Sequence, residues 1–407
     1  MAERTLVNPF SPGAGQRPPY LAGRKQEQQE FRTFLAQPIV RQNIILTGLR
    51  GVGKTVLLDT FKDIAQNSGW LWTGADFSEA TSVSEERLAT RLVADISLLL
   101  SNVTLTQSIR KVGFGNASEN ITENIRFDTL MSVYKDTPGL ISDKLKATLL
   151  YVWRIIKEVT QPGEINGIIF AYDEAQTLGD RAKQNEYPLS LLLEIFQSLQ
   201  RQEIPFMLIL TGLQTLFPKL VGTRTYAERM FHVITIDKLS REESFEAITK
   251  PVEENNEIQF GENVVETIID MSGGYPYFIQ FICRETFEAW ISLVKNGHKP
   301  IVPVDAIIKK LDDDFFQGRW SLATDRQKEL LYVISHINDN NTEFTLKEIV
   351  TKSREMNAGR CFQPSYANQL LSQLIEKGLV YKTGMGKYRL AVHLFANFVL
   401  RQDVHFE

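Results

Sequence analysis

Short apolar runs alternate, along roughly the first 240 positions, with stretches in which apolar residues recur every three to four places. The runs are NIILTGL (43–49), GWLWTGADFS (69–78), GIIFAYDEA (167–175), PFMLILTGL (205–213) and HVITIDKL (232–239). Helical periodicity begins near Lys25 and returns over 54–67, 84–101, 141–159 and 188–202. Continuous apolar strands separated by amphipathic helices predict an α/β domain with a five-stranded parallel sheet, because only strands buried on both faces lose their polar alternation. One stretch, SIRKVGFGNASENITENIRF (108–127), breaks the pattern. Gly and Asn between two alternating runs predict a small β-hairpin inserted in the second crossover.

Beyond Leu239 the strands stop. Residues 240–318 carry helical patterns, and the first opens with Ser240 and Glu243 at capping-box spacing. Helical patterns over about 324–337, 345–355 and 364–377 then precede two short strands around Gly384-Met385-Gly386. Three helices followed by a β-hairpin is the order of a winged helix. The expected organisation is an extended Pro- and Gly-rich arm (1–20), a nucleotide-binding α/β domain (21–239), a helical lid (240–319) and a winged helix (320–407).

Composition narrows this little. The 407 residues are 43% hydrophobic and 23% charged, with a formal net charge of −4. That is ordinary globular protein without a general affinity for nucleic acid, so any such binding must come from a local patch. Only Cys283 and Cys361 are present, far apart, which fits a reducing compartment. No signal-like or membrane-spanning apolar run appears, and a cytoplasmic location without a membrane role is expected. The five histidines do not sit at ligand spacing with other donors, so no structural metal is expected.

The chemistry starts at LTGLRGVGKTVL, which contains G-x-x-x-x-G-K-T from Gly48 to Thr55. A buried strand precedes it and a helix follows, the context that makes this loop a phosphate cradle. Gly48, Arg50, Gly51, Val52, Gly53 and Val56 would turn backbone N–H groups around the phosphates, with the helix N-terminus adding its dipole. Lys54 would reach the β- and γ-phosphates, and the Thr55 hydroxyl would coordinate Mg²⁺. The third apolar run ends in Asp173-Glu174. Asp173 is the second expected metal ligand, and Glu174 the general base for an attacking water. Thr211, at the end of the fourth run, could orient that water or cap the next helix. Arg224 and Arg229 precede the fifth run. Arg229 is the stronger candidate for a finger that reaches a neighbour's γ-phosphate, and so implies a nucleotide-dependent homo-oligomer.

Taken together, these residues resemble the AAA+ ATPases of the origin-recognition-like and STAND groups. More narrowly, NPFSPGAGQRPPYLAGR, TYAERMF and GGYPYFIQ resemble motifs of bacterial AAA-family ATPases of poorly defined role, over nearly the whole chain. The resemblance implies that Tyr20 and Leu21 lie beside adenine, and that Pro276 corresponds to the lid proline STAND proteins place near the base. The sequence departs from both groups. No arginine sits at the GGYPYF turn, where initiator ATPases carry one, and the fourth strand lacks the terminal arginine of STAND proteins.

In the position of a recognition helix, QPSYANQLLSQLIEKG presents neutral polar residues (Ser365, Asn368, Gln369, Ser372, Gln373) opposite an apolar face of Leu370, Leu371, Leu374 and Ile375. Such residues read bases but do not neutralise phosphates. Arg360, Lys382, Lys387 and Arg389 form a modest basic patch for duplex DNA. The expected function is an ATP- and Mg²⁺-dependent switch that hydrolyses ATP slowly to ADP and couples nucleotide state to DNA association or assembly. The alternative is a STAND-type signalling or scaffolding ATPase whose winged helix binds a protein. A small-molecule kinase is disfavoured by the Asp-Glu pair, which suits transfer to water.

Overall fold

The computed structural model describes residues 7–101, 104–110, 118–253, 258–295, 301–337, 343–356 and 361–404. The chain divides into two compact units, one of Arg24–Gly48 and Lys54–Thr235, the other of Met1–Gly23, Leu49–Gly53 and Ile236–Glu407.

The first unit is built on the predicted sheet. Its strands are β1 (Asn43–Gly48), β2 (Trp70–Thr73), β5 (Gly167–Tyr172), β6 (Phe206–Gly212) and β7 (Phe231–Ile236), in the order β2-β5-β6-β1-β7. Every residue of β1, β5 and β6 is buried, which is why these segments read as unbroken apolar runs. The edge strands are less covered: Leu71 and Trp72 of β2 and His232 and Val233 of β7 are half-buried, and Thr235 of β7 is exposed. β2 is shorter than the apolar run that predicts it: pairing continues past Thr73 only as an isolated bridge between Asp76 and Asp173. The helices are α1 (Lys25–Leu35), α2 (Lys54–Asn67), α3 (Glu85–Leu100), α4 (Phe127–Asp136), α5 (Ile141–Val159), α6 (Pro188–Arg201), α7 (Leu216–Thr223) and α8 (Ala227–Met230). The apolar faces of α3, α5 and α6 bury residues such as Leu92, Val152 and Leu192 in one core with Ile168, Phe170 and Leu208 of the sheet. The hairpin is present as β3 (Thr104–Arg110) and β4 (Ser118–Asn124), antiparallel, inserted between β2 and β5.

The second unit contains α9 (Arg241–Thr249), α10 (Glu262–Ser272), α11 (Pro276–Lys295), α12 (Val304–Leu311) and α13 (Gln317–Trp320), the last two joined by a π-helical turn at Asp312–Phe316. The Ser240/Glu243 capping box forms: the Glu243 amide donates to Ser240 Oγ and the Ser240 amide to Glu243 Oε2. Asn8 and Phe10 of the N-terminal arm lie against this unit. Phe10 is buried, stacked on Phe260 at 5.9 Å and edge-on to Phe287 at 6.4 Å, while Asn8 donates to the Arg284 carbonyl at 3.0 Å.

Helices α14 (Asp325–Ile337), α15 (Leu346–Glu355) and α16 (Pro364–Glu376) precede a hairpin of β9 (Val380–Gly384) and β10 (Lys387–Leu390), the winged-helix order. Two elements are additional to the pattern: β8 (Phe344–Thr345), which pairs with β10, and α17 (Phe395–Leu400). β8 is too short to show a period. Residues 391–394, ending in the left-handed Leu394 (φ 65°), separate β10 from α17.

His393, between the hairpin and α17, is buried, and among the described residues neither ring nitrogen has a hydrogen-bond partner. Its ring stacks on Tyr275 at 4.7 Å, and its Nε2 occupies the space above Gly273, where a Cβ would lie 2.3 Å away. Burial, then the charges of Lys238 and Arg389, push its pKa from 6.5 down to about 4. The folded ring therefore stays neutral where the unfolded one takes a proton. Stability should fall as pH drops from about 6.5 to about 4, by roughly 3 kcal/mol in total for this group. Denaturant unfolding of His393→Phe at several pH values should show a shallower loss over that window than wild type; equal slopes would refute the assignment.

Candidate functional site

In a parallel sheet, loops at the carboxyl ends of adjacent strands converge, and the register here decides which residues meet. Tyr172 pairs with Leu210, and Leu46 with Thr211, so Asp173 and Thr211 emerge at the same level on neighbouring strands beside the end of β1. Thr55, in the first turn of α2, donates from Oγ1 to Asp173 Oδ2 at 2.6 Å. Asp173 is 5% exposed, and its Oδ1 accepts the Glu174 amide at 2.7 Å. Lys54 Nζ folds back onto the Gly48 carbonyl at 3.1 Å. Thr55 and Asp173 supply hard oxygen donors side by side, which is the donor chemistry Mg²⁺ takes when phosphate and water oxygens complete its shell. A cleft of about 510 Å³ opens beside the pair, lined in part by Asp59, Trp72, Asp76 and Leu98.

Glu174 leaves β5 in the left-handed region (φ 51°, ψ 32°), unusual for a residue with a side chain. Thr177 holds that turn, its hydroxyl lying 2.9 Å from the Glu174 carbonyl and 3.2 Å from the Phe77 carbonyl, with one proton for the pair. The Glu174 carboxylate itself is exposed and accepts a hydrogen bond from Gln176 Nε2. Gln176 has no place in the sequence reading. The only available signal is its position two residues after the Asp-Glu pair.

Thr211 does not cap the next helix; Thr215 occupies the N-cap of α7. The side chain of Thr211 is fully buried, and its Oγ1 has no hydrogen-bond partner among the described residues. Orienting a water would require this hydroxyl to become accessible. Arg224 and Arg229 are both exposed. The Arg224 side chain hydrogen-bonds Tyr226, whereas no ion pair of Arg229 is formed among the described residues.

In the other unit, Gly51 and Gly53 of the loop adopt positive φ, 80° and 91°. The Gly51 carbonyl accepts the Tyr277 amide at 3.2 Å, in the first turn of α11 that Pro276 opens. Arg50 lies with its guanidinium over Gly378, 3.5 Å from where a Cβ would be. Arg319, stacked on Phe315 at 4.0 Å, has its pKa lowered by burial and by the neighbouring charge of Arg50. Arg319 is a second residue that the sequence reading misses, being far from any motif. Tyr20 donates to Glu246 Oε2 at 3.0 Å.

On α16, Leu370, Leu371 and Leu374 are buried, Ile375 is half-buried, and Ser365, Asn368, Gln369 and Ser372 are exposed. Gln373 departs from the expected outward face: its Oε1 accepts from Gln327 Nε2 at 2.7 Å. In the basic patch, Lys382 is exposed, Arg389 is half-buried, and Lys387 pairs with Glu343 at 2.9 Å. Arg360 lies outside the described residues.

A parallel sheet in this order, with a glycine-rich loop after β1 and an Asp-Glu pair after β5, is a P-loop α/β fold. The particular fold is that of an origin-recognition-type AAA+ protein. The Aeropyrum pernix ORC2 protein in ADPNP–ADP complexes aligns at a TM-score of 0.56 and 14% identity, over 96% of this chain and 95% of that one. The ADP form of the same protein aligns at 0.52 and 13% identity, with 96% and 95% covered. The likeness is one of fold. Residues 313–399 match a domain of unknown function, DUF8462. No curated protein sequence matches the chain. Among the described residues, no helix is long and apolar enough to cross a membrane.

Gly51→Ala would force a side chain into φ 80°, with its Cβ 3.3 Å from Cβ of Tyr277. A cost of roughly 1–2 kcal/mol is expected in denaturant unfolding. A change below a few tenths would mean that the loop relaxes freely.

Proposed function

We propose that this protein is a nucleotide-dependent AAA+ switch ATPase: it binds ATP with Mg²⁺ and hydrolyses it slowly to ADP and phosphate. The observation that carries the reading is the 2.6 Å hydrogen bond from Thr55 to Asp173, which joins the residue after the loop lysine to the acid that ends β5. The solved ORC2 structures contain ADPNP and ADP, and that precedent on the same fold supports an adenine nucleotide here.

Lys54 releases the Gly48 carbonyl to meet the β- and γ-phosphates. Thr55 and Asp173 would hold Mg²⁺, which would supply positive charge beside the transferring phosphoryl group. Glu174 accepts a proton from water as its oxygen bonds to the γ-phosphorus and the bond to the bridging oxygen breaks. Gly48, Arg50, Gly51, Val52, Gly53 and Val56 surround the phosphates. Tyr20, Leu21 and Pro276 contact the base. Thr211 orients the water once its hydroxyl turns outward. Arg229, exposed and without an ion pair among the described residues, is the finger offered to a neighbouring copy. The working segments are 1–20, 21–239, 240–319 and 320–407. The winged helix couples nucleotide state to duplex DNA through Lys382, Lys387, Arg389 and Arg360, in the cytoplasm.

A second reading, a switch that docks a protein partner, is favoured by the wing itself. Lys387 is already paired with Glu343, and Met385 at the tip is fully exposed. Breaking that pair would offset part of what a phosphate contact contributes.

Steady-state phosphate release from ATP, at low salt and over a range of protein concentrations, tests the reading. Lys54→Ala should abolish nucleotide binding. Glu174→Gln should keep binding and lose turnover by at least about 100-fold, within the range expected when acid–base catalysis is removed. Wild-type turnover in Glu174→Gln would remove the base assignment. A rate per protomer that climbs with concentration and is lost in Arg229→Ala supports the finger; a flat rate counts against it. Stimulation by duplex DNA favours the first reading, and indifference to DNA the second.

A further inference from the structure

Beyond the motif residues, the region around Glu174 contains a polar bridge. Gln176 donates from Nε2 to Glu174 Oε2, and its Oε1 accepts the Leu213 amide at 3.2 Å. Its own carbonyl accepts Lys219 Nζ at 2.7 Å, from α7. Leu213 is the first residue after β6. One side chain thus connects the carboxylate after β5 to the main chain at the tip of the adjacent strand.

Chemistry fixes how the amide must face. The Leu213 N–H can only donate, and an ionised carboxylate can only accept. An amide supplies one acceptor and one donor, so both ends are satisfied in a single orientation. Glutamate at 176 would keep the acceptor for Leu213 and present a second carboxylate to Glu174. Methionine would satisfy neither. The space is shaped to the amide as well: a Cβ on Gly212 would lie 2.4 Å from Gln176 Oε1.

We propose that Gln176 is the positioning residue for Glu174. Its amide fixes the carboxylate relative to the tip of β6, and Lys219 anchors the turn from the other side. Because Glu174 is exposed and its backbone sits in the left-handed region, little else among the described residues restrains its side chain. A base displaced by an ångström loses on the order of a hundredfold in rate, so a single restraint of this kind matters. The inference rests on Glu174 acting as the base for ATP hydrolysis.

The test compares Gln176→Glu, Gln176→Met and Gly212→Ala with wild type, measuring kcat and KM for phosphate release, binding of a fluorescent ATP analogue, and thermal unfolding. Gln176→Glu is decisive, since it keeps the Leu213 acceptor and puts a second carboxylate where the donor to Glu174 was. All three variants should lose roughly 10- to 100-fold in kcat. KM, analogue affinity and the unfolding temperature of Gln176→Glu should stay within about twofold or a few degrees. If Gln176→Glu turns over like wild type, or faster, Gln176 does not position the base and the proposal fails. If only Gln176→Met is impaired, and its unfolding temperature falls with its rate, the role is structural and the proposal fails. A wild-type protein that binds the analogue but releases no phosphate would instead sink the hydrolysis reading, and this proposal with it.

Discussion

The site depends on the burial of three parallel strands. β1, β5 and β6 have no exposed residue, so their polar chemistry can appear only where they end. Parallel pairing places those ends on one edge, and the register aligns them to within a residue. Asp173, Glu174 and Thr211 come together because the hydrophobic effect holds the strands in that order, which puts β6 between β1 and β5. The Thr55–Asp173 hydrogen bond then ties the first turn of α2 to that edge.

Two of the positions proposed to act on the nucleotide are also where local rules are broken. Glu174 carries a side chain in a backbone region that favours glycine, and Thr211 has a buried hydroxyl without a partner among the described residues. Each feature costs free energy, of order 1–3 kcal/mol for the backbone and a similar amount for an unsatisfied hydroxyl. The surrounding core tolerates them because the strands beneath are so fully packed. Gln176, Thr177 and Lys219 compensate locally by satisfying main-chain and carboxylate groups of the Glu174 turn and the β6 tip.

The helical unit follows a different logic. Its GGYPYF turn serves several contacts at once: Gly274 receives the Leu239 amide, Tyr275 stacks on His393, and Tyr277 donates to the Gly51 carbonyl. Aromatic packing continues through Phe315 and Phe316 to Phe398. In this unit the first turn of α11 therefore contacts both the 49–53 loop and, through packed rings, α17.

Much of this was legible in the chain. Unbroken apolar runs revealed the three central strands, since strands buried on both faces show no alternation. G-x-x-x-x-G-K-T between a strand and a helix marked the candidate phosphate loop, and an acidic pair after an apolar strand marked Asp173 and Glu174 as candidates. These signals are local, and their chemistry depends on a few adjacent residues. Tertiary structure decided the rest. The Gln176 bridge needs Leu213, which is distant in sequence, and nothing in one neighbourhood announces the other. The proximity of Arg50 and Arg319, the seat of His393 above Gly273 and the pairing of Lys387 with Glu343 likewise depend on which elements pack together. The sequence by itself determined the strands, their order along the chain and the residues at their ends. Only the folded chain decided which of those ends became neighbours, because pairing and packing are long-range contacts that local periodicity does not encode.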